Sequence, residues 1–164
     1  MTHVVHPIAP VFSENSEILI LGSFPSVKSR EEGYFYGHPK NRFWRVLAGV
    51  YCEDTPESVE DKKAFLLRHR LSVWDVLCSC EIKGSSDASI INAVPNDISV
   101  ILKKAPVKKV LLNGKTAQKY YDKYLRKNVS CEAVTLPSTS PANAAWSYER
   151  LLCEWKKEIE NIKS

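Results

Sequence analysis

Long apolar segments are missing from this 164-residue sequence, and none approaches the length that a membrane-spanning helix needs. The first residues also lack a basic segment followed by an apolar stretch, so we expect no secretory signal peptide. Internal repeats, low-complexity tracts and a recognisable linker are absent as well. Together these absences predict a single domain over residues 1–164 that lies in the cytoplasm and makes no contact with a membrane.

Cysteines are few and scattered, and their odd number does not suggest a full set of disulfide pairs. Cys78 and Cys80 are separated by one residue, whereas zinc and redox sites favour a Cys-x2-Cys spacing. We therefore expect no metal ion and no other cofactor, and we expect the thiols to be reduced and mostly buried. The five cysteines are Cys52, Cys78, Cys80, Cys131 and Cys153.

A strong excess of charge of one sign is also lacking, because 23 Lys and Arg residues face 19 Asp and Glu residues. The resulting net charge of +4 permits contact with a phosphate backbone but does not by itself indicate one. Hydrophobic residues make up 44% of the chain, which is enough for a proper core. The composition therefore indicates a globular domain and leaves its function open.

Four short segments rich in Val, Ile and Leu predict buried parallel strands. They span residues 17–21, 71–75, 109–113 and 132–136. Apolar residues at helical spacing predict helices over residues 41–50, 58–68, 98–104, 116–126 and 144–162. Strands that alternate with helices indicate an α/β fold, here a three-layer αβα sandwich with a central, mainly parallel four-stranded sheet.

Ligands bind beyond the carboxyl ends of the strands in such sheets. Two of the predicted strands end in loops of small and polar residues. The first loop has a glycine that allows close approach, two hydroxyls and a flat apolar ring, although an ordinary strand-to-helix turn has the same composition. Its residues are Gly22, Ser23, Phe24, Pro25 and Ser26.

The loop after the last predicted strand has three hydroxyls between two prolines, followed by small residues. Such a rigid loop is suited to gripping phosphates, with its small residues wedged into a stack of bases. A Ser- and Pro-rich connection to the last helix is the plain structural alternative. The candidate residues of this loop are Ser138, Thr139, Ser140, Pro141, Ala142 and Asn143.

The segment over residues 31–44 is too aromatic for a solvated linker, and it contains Tyr36, His38 and Asn41. It predicts either a loop tucked onto the core or a wall on which a planar ring stacks. Asn41 could cap the following helix or hold a water molecule. Asp75 ends the second predicted strand, where its carboxylate could accept a hydrogen bond from a ring N–H or cap a turn.

Taken in order, these segments closely resemble the uracil-DNA glycosylase superfamily, and its hypoxanthine (deoxyinosine) branch most of all. The resemblance covers residues 6–156 and rests on five collinear motifs. They are Gly-Ser-Phe-Pro-Ser at 22–26, Tyr-Phe-Tyr-Gly-His-Pro-Lys-Asn-Arg-Phe-Trp at 34–44, Val-Trp-Asp at 73–75 with Gly-Ser-Ser-Asp at 84–87, Asn-Gly-Lys-Thr-Ala at 113–117, and Leu-Pro-Ser-Thr-Ser-Pro-Ala-Asn at 136–143.

This resemblance implies a monofunctional glycosylase that flips a deaminated base out of DNA and hydrolyses its N-glycosidic bond, leaving an abasic site. The expected partner is DNA containing deaminated bases, and we expect a monomer, associated with the nucleoid if the source is bacterial. It also implies that residues 22–26, Tyr36 and Asn113 contact the substrate, and that residues 138–143 contact DNA. No four-cysteine cluster like that of some relatives is present, which agrees with the expectation of no metal.

One position departs from the mismatch-specific branch, whose first loop has an asparagine where this chain has Phe24. In the hypoxanthine branch the resemblance suggests that Asn41 takes over the task of positioning the attacking water. We therefore expect a catalytic group of Asn41, Asp75 and His38, with the Asn41 carbonyl accepting from water and Asp75 accepting from the base. Two alternatives stay open, namely a glycosylase for uracil or thymine opposite guanine, and a catalytically weak module that binds damaged DNA.

Overall fold

The computed structural model describes residues 1–162, which form seven strands and six helices. The strands are β1 (Thr2–Val5), β2 (Ile18–Gly22), β3 (Leu71–Asp75), β4 (Leu77–Ile82), β5 (Ile91–Pro95), β6 (Lys109–Asn113) and β7 (Glu132–Leu136). The helices are α1 (Val27–Glu32), α2 (Phe43–Val50), α3 (Val59–Arg68), α4 (Ser99–Leu102), α5 (Lys115–Tyr124) and α6 (Tyr148–Glu160).

The four strands predicted from apolar runs form one parallel sheet in the order β3-β2-β6-β7. Residues of β2 alternate between the two faces of this sheet, as the pleat requires. Ile18 and Ile20 join the core on one face, and Leu19 and Leu21 join the core on the other. A strand covered on both faces must be apolar throughout, which explains why its pattern is a continuous run rather than an alternation.

Each face of the parallel sheet is covered by its own layer. Helices α2, α3 and α6 supply Phe43, Phe65 and Trp155 to the first core. Helices α4 and α5 supply Ile101 and Tyr121 to the second core. The predicted αβα sandwich with a central four-stranded parallel sheet is confirmed.

A second sheet was not predicted from the sequence. Strands β1, β4 and β5 form a three-stranded antiparallel sheet, and β4 packs its buried side chains against the second core. The two edge strands, β1 and β5, are mostly exposed, so they lack the apolar pattern by which a buried strand is found. Helix α1 was missed because six residues with one buried position carry little periodicity.

Side-chain caps set the starts of two long helices. Ser58 accepts from the backbone N–H of Asp61 and begins α3, as expected, whereas Ser147 accepts from the backbone N–H of Arg150 and begins α6. Helix α6 therefore starts four residues later than the predicted range of 144–162 and ends at Glu160.

The expectation of mostly buried thiols is wrong for this chain, because only Cys80 is buried. Cys52 and Cys153 are exposed, and Cys78 and Cys131 are partly buried; all five are free. Within residues 1–162, no helix is both long and apolar enough to cross a membrane.

Candidate active site

Strand register brings the candidate residues to one edge of the parallel sheet. Gly22 is the register partner of Asp75 across β2 and β3, and Asn113 is the partner of Leu136 across β6 and β7. All four lie at the carboxyl ends of their strands, where the following loops begin. The edge of the sheet therefore carries a glycine, a carboxylate and an amide side by side, as expected for a ligand site of this fold.

A cavity of about 300 Å³ opens at this edge, and the predicted loops converge on it. It is lined by every predicted site residue except Asn143: Gly22, Ser23, Phe24, Pro25, Ser26, Tyr36, His38, Asn41, Asp75, Asn113, Ser138, Thr139, Ser140, Pro141 and Ala142. Motifs that are distant in the sequence thus meet at one cavity.

Asp75 lies in the wall of this cavity with only 3% of its surface exposed. Its Oδ2 atom is 2.7 Å from Nε2 of His6, whose side chain is also buried. The Nδ1 atom of His6 accepts from the backbone N–H of Ile8 at 3.2 Å. Because Nδ1 is an acceptor, the neutral ring carries its proton on Nε2 and donates it to Asp75.

Tyr36 lies beside Asp75, with its ring stacked on Phe43 at a centroid distance of 3.9 Å. Its hydroxyl is shielded from solvent and has no hydrogen-bond partner within residues 1–162. Burial raises the pKa of Tyr36 strongly, and the negative charge of Asp75 raises it further. The nearby Asn113 side chain opposes this to a smaller extent, although its contact with the hydroxyl falls short of hydrogen-bond geometry. The phenol is therefore protonated at every physiological pH and can donate a hydrogen bond.

Asn41 is tied into the scaffold through its side-chain oxygen. This Oδ1 atom accepts from the backbone N–H of Phe43 at 2.9 Å and from the hydroxyl of Thr139 at 2.9 Å. A carbonyl oxygen has two lone pairs, so the expected hydrogen bond from water to this oxygen has no free position. Within the described chain the Asn41 amide nitrogen has no protein partner and is free to donate.

Thr139 does not fit the predicted role of a hydroxyl that grips phosphate. Its side chain is fully buried, and its hydroxyl accepts from Asn113 Nδ2 at 3.0 Å while donating to Asn41. Its backbone N–H donates to Asn113 Oδ1 at 3.0 Å. Thr139 therefore links Asn41, just before α2, to Asn113 at the end of β6.

The loop over residues 137–143 is braced from behind by Arg42. The guanidinium of Arg42 donates to the carbonyl oxygens of Ser140, Asn143 and Trp146, and its backbone N–H donates to the carbonyl of Thr139. Asn143 braces the loop as well, because its Nδ2 donates to the carbonyl of Ser138. This position explains why Asn143 is not part of the cavity wall.

Other side chains complete the cavity wall. The Phe24 ring is 8% exposed and meets the His6 ring edge-on at 5.8 Å. His38 is exposed, and its Nδ1 accepts from the backbone N–H of Lys40. Ser23 donates to Asp87 Oδ1 at 3.0 Å. Much of the Asp87 residue is exposed, but desolvation of its carboxylate raises its pKa, and the charge of Asp75 raises it further. The Ser23 hydrogen bond and the nearby Thr116 hydroxyl oppose this rise.

Sequence reasoning missed three residues that matter to the geometry: His6, Asp87 and Arg42. Asp87 belongs to the Gly-Ser-Ser-Asp motif and Arg42 to the aromatic motif, so both lie in segments that the sequence singled out, but neither residue was assigned a role. His6 lies 69 positions before Asp75, and no local pattern connects the two. Within residues 1–162, no group of three or more His, Cys, Asp or Glu residues is arranged to hold a metal ion.

Comparisons with known proteins agree with this geometry. The sequence profile of the uracil DNA glycosylase superfamily matches residues 9–162. A protein of Methanosarcina acetivorans named hypoxanthine DNA glycosylase is 36% identical over 148 residues, which cover 89% of this chain and 92% of that protein. A protein of the same name from Methanosarcina barkeri is 36% identical over 136 residues, covering 82% of this chain and 85% of that protein.

A solved structure also shares this architecture. It is an NMR structure described as a candidate uracil DNA glycosylase from Methanosarcina acetivorans, with a TM-score of 0.79 and 34% sequence identity. The likeness covers 94% of this chain and 97% of that one. With the profile match over nearly the whole chain and the converging strand-end loops, these findings show that the chain belongs to the uracil DNA glycosylase superfamily.

Proposed function

We propose that this protein is a monofunctional DNA glycosylase that releases hypoxanthine from deoxyinosine in DNA and leaves an abasic site. The observation that carries the proposal is the cavity at the sheet edge, which has a buried carboxylate in its wall and in which the family's motifs meet. The 36% identity to two proteins named hypoxanthine DNA glycosylase supports the choice of base.

The cavity accepts a base that has been flipped out of the DNA stack. Flipping costs a few kcal/mol and is easiest for a mispaired base, which favours deaminated bases from the start. Inside the cavity the free oxygen of Asp75 accepts a hydrogen bond from the ring N–H of the base. Phe24 supplies an apolar ring in the wall, where a base is expected to stack.

Water is the nucleophile in this proposal. No lysine is among the described residues that line the cavity, so a covalent imine with the sugar is not expected. Asn41 holds the water through its amide nitrogen, since its oxygen is occupied by Phe43 and Thr139. Bond breaking then depends on stabilising the charge of the departing base, which fixed dipoles can do without a strong nucleophile.

The braced loop over residues 137–143 is the proposed DNA contact. Ser138 and Ser140 each accept a backbone N–H from within the loop, which leaves their hydroxyl hydrogens free to bind phosphate oxygens. Pro141 and Ala142 are exposed and small, and are placed to enter the gap that the flipped base leaves. We expect the protein to act as a monomer in the cytoplasm, as its sequence suggested.

The test is an alkali-cleavage assay on matched duplexes that each carry one deoxyinosine, deoxyxanthosine or deoxyuridine, or a thymine opposite guanine. Strand breaks only after alkali, with deoxyinosine cut fastest, are the expected result. Preference for uracil or thymine opposite guanine would support the mismatch-specific alternative. Tight binding to the lesions without any abasic product would support the binding-module alternative and contradict the proposal.

A further inference from the structure

The Tyr36 hydroxyl is the one polar group of the cavity wall that has two unexplained features. It is buried without a hydrogen-bond partner within residues 1–162, whereas buried hydroxyls in proteins nearly always have one. The backbone of Tyr36 is also left-handed, with φ of 54°, which is unfavourable for a bulky side chain. Such strain persists only where the surroundings impose it, and it concentrates at ligand sites.

Asp75 is held so that only one of its oxygens remains to be used. His6 donates to Oδ2, and the bond from Ile8 to the other ring nitrogen fixes the His6 tautomer. No hydrogen bond from residues 1–162 reaches Oδ1. The carboxylate therefore presents a single oriented acceptor to the cavity.

The free donor and the free acceptor meet at the same point, above Gly22. A Cβ atom placed on Gly22 would be 2.5 Å from Asp75 Oδ1 and 2.9 Å from the Tyr36 hydroxyl oxygen. Any side chain at position 22 would collide with both atoms. The glycine thus lets the Tyr36 hydroxyl and Asp75 Oδ1 lie side by side, next to the cavity whose wall includes all three residues.

A donor beside an acceptor distinguishes hypoxanthine and uracil from their parent bases, adenine and cytosine. Hypoxanthine, xanthine and uracil carry a ring N–H next to a carbonyl oxygen, which is a lactam edge. Adenine and cytosine carry a ring nitrogen lone pair next to an amino group, so each hydrogen bond would have its polarity reversed. A site built to hydrogen-bond one group strongly rejects an analogue that leaves its buried polar atoms unpaired.

We propose that Tyr36 and Asp75 together select the lactam edge of the flipped base, with the Tyr36 hydroxyl donating to the carbonyl oxygen and Asp75 Oδ1 accepting from the ring N–H. His6 is the positioning residue that keeps Asp75 in this orientation. Guanine has the same edge, so its exclusion depends on its 2-amino group and not on this pair. This inference rests on the proposed function and deepens it, because it gives the chemical basis for the choice of base.

The test measures binding rather than cleavage, so that it does not depend on turnover. Two duplexes are compared, each with an uncleavable 2′-fluoroarabino nucleotide. One carries the analogue of deoxyinosine, and the other carries the analogue of purine deoxyriboside, whose base lacks both the carbonyl and the ring N–H. We expect the wild-type protein to bind the inosine analogue at least about tenfold more tightly. Tyr36→Phe should remove most of this preference by weakening only the inosine complex, with no loss of melting temperature, since the deleted hydroxyl has no partner.

Tyr34→Phe is the matched control, because its hydroxyl is also buried without a partner but does not line the cavity. It should leave both affinities unchanged. Equal weakening of both complexes by Tyr36→Phe, or an unchanged preference, would overturn the role of Tyr36. If the wild type prefers the inosine analogue and yet never releases hypoxanthine from deoxyinosine, the proposed function fails while the recognition inference stands.

The positioning role of His6 has its own rescue experiment. His6→Leu removes the donor to Asp75 and should lower the preference for the inosine analogue about tenfold. His6→Gln places an amide N–H near the position of Nε2 and should restore most of it. A merely structural histidine would give similar losses of melting temperature in both variants and no selective change in preference, and that result would overturn the assignment.

Discussion

Asn41 has a structural role that is compatible with the catalytic role proposed for it. Its oxygen accepts from the backbone N–H of Phe43, the first residue of α2, and from the Thr139 hydroxyl, while its amide nitrogen has no partner within residues 1–162. The sequence suggested a choice between a cap and a catalytic group. In the structure the scaffold bonds use the amide oxygen, and the proposed water contact uses the amide nitrogen.

Asn41→Asp and Asn41→Ser separate these roles. Both variants keep an oxygen that can accept from Phe43, so folding and melting temperature should stay close to wild type. Both lose the amide nitrogen, so single-turnover excision should fall about 100-fold or more, the usual loss when one positioned polar group is removed from an active site. Because only the aspartate variant adds a charge, a loss shared by both variants is assigned to the amide.

Quench-flow measurement of excision, with calorimetry on the same samples, checks this prediction. Near-wild-type excision by Asn41→Ser would restrict Asn41 to its capping role and turn attention to His38 as the residue that holds water.

At the scale of secondary-structure elements, hydrogen bonds from the start of α2 hold the loop that follows β7. Arg42 precedes α2, and its fork of N–H donors reaches three carbonyl oxygens of the segment that follows β7. A planar guanidinium suits this task, whereas a lysine has one compact ammonium and cannot span the same acceptors. The aromatic motif thereby sets the shape of the loop that is proposed to enter DNA.

Arg42→Lys should loosen this loop without removing any group from the cavity. Two hydrogen bonds lost at about 1 kcal/mol each would lower the melting temperature by roughly 4–8 °C. Affinity for a lesion duplex should fall about tenfold, because a more mobile loop loses more conformational entropy when it binds. Fluorescence anisotropy with a labelled duplex measures the affinity.

Arg45→Lys provides the comparison. Arg45 lies three residues further along, is exposed, and stacks its guanidinium on the Tyr148 ring at 4.8 Å. It should change neither affinity nor melting temperature by much. If the two variants bind lesion DNA equally well, Arg42 does not set the conformation of the loop over residues 137–143.

At the scale of the whole molecule, stability and function are located at opposite ends of the sheet. Lys109 begins β6, and Asn113 ends the same strand at the cavity, about 13 Å away at 3.3 Å per residue. The Lys109 ammonium is buried and donates to Glu158 Oε2 at 2.7 Å and to the carbonyl oxygens of Glu158 and Asn161. It therefore fastens the C-terminal helix to the sheet.

Lys109→Ala should destabilise the fold and spare the chemistry. Removing one partner of a buried ion pair costs about 3 kcal/mol or more, which corresponds to a drop of roughly 6–12 °C in melting temperature for a chain of this size. Excision at 25 °C, where the variant is still folded, should stay near the wild-type rate. Glu158→Gln should be milder, since its side-chain oxygen still accepts from Lys109.

Thermal unfolding and single-turnover excision on the same preparations check both parts of this prediction. A melting temperature within 2 °C of wild type would show that the Lys109 pair contributes little to stability. A large loss of excision by the folded variant would show that the two ends of the sheet are coupled.

The sequence by itself determined the parallel sheet, its flanking helices and the family. Buried strands such as β2 are apolar on both faces, and helices such as α2 carry their apolar residues at helical spacing, so local patterns suffice to find them. The strand-end rule then placed the Gly22, Asp75 and Asn113 loops at one edge without any knowledge of contacts. The exposed strands β1 and β5 were not predicted, because an edge strand with little burial has no such apolar pattern.

Only the tertiary structure decided which hydrogen-bonding atoms of the site are left without a partner. The hydrogen bonds from Thr139 to Asn41 and from His6 to Asp75 join residues 98 and 69 positions apart. Such pairs depend on strand register and loop packing, which no local spacing encodes. The unpartnered Tyr36 hydroxyl beside Asp75 is visible only once β2, β3 and the aromatic segment are assembled, because a side chain is known to lack a partner only when all its neighbours are in place.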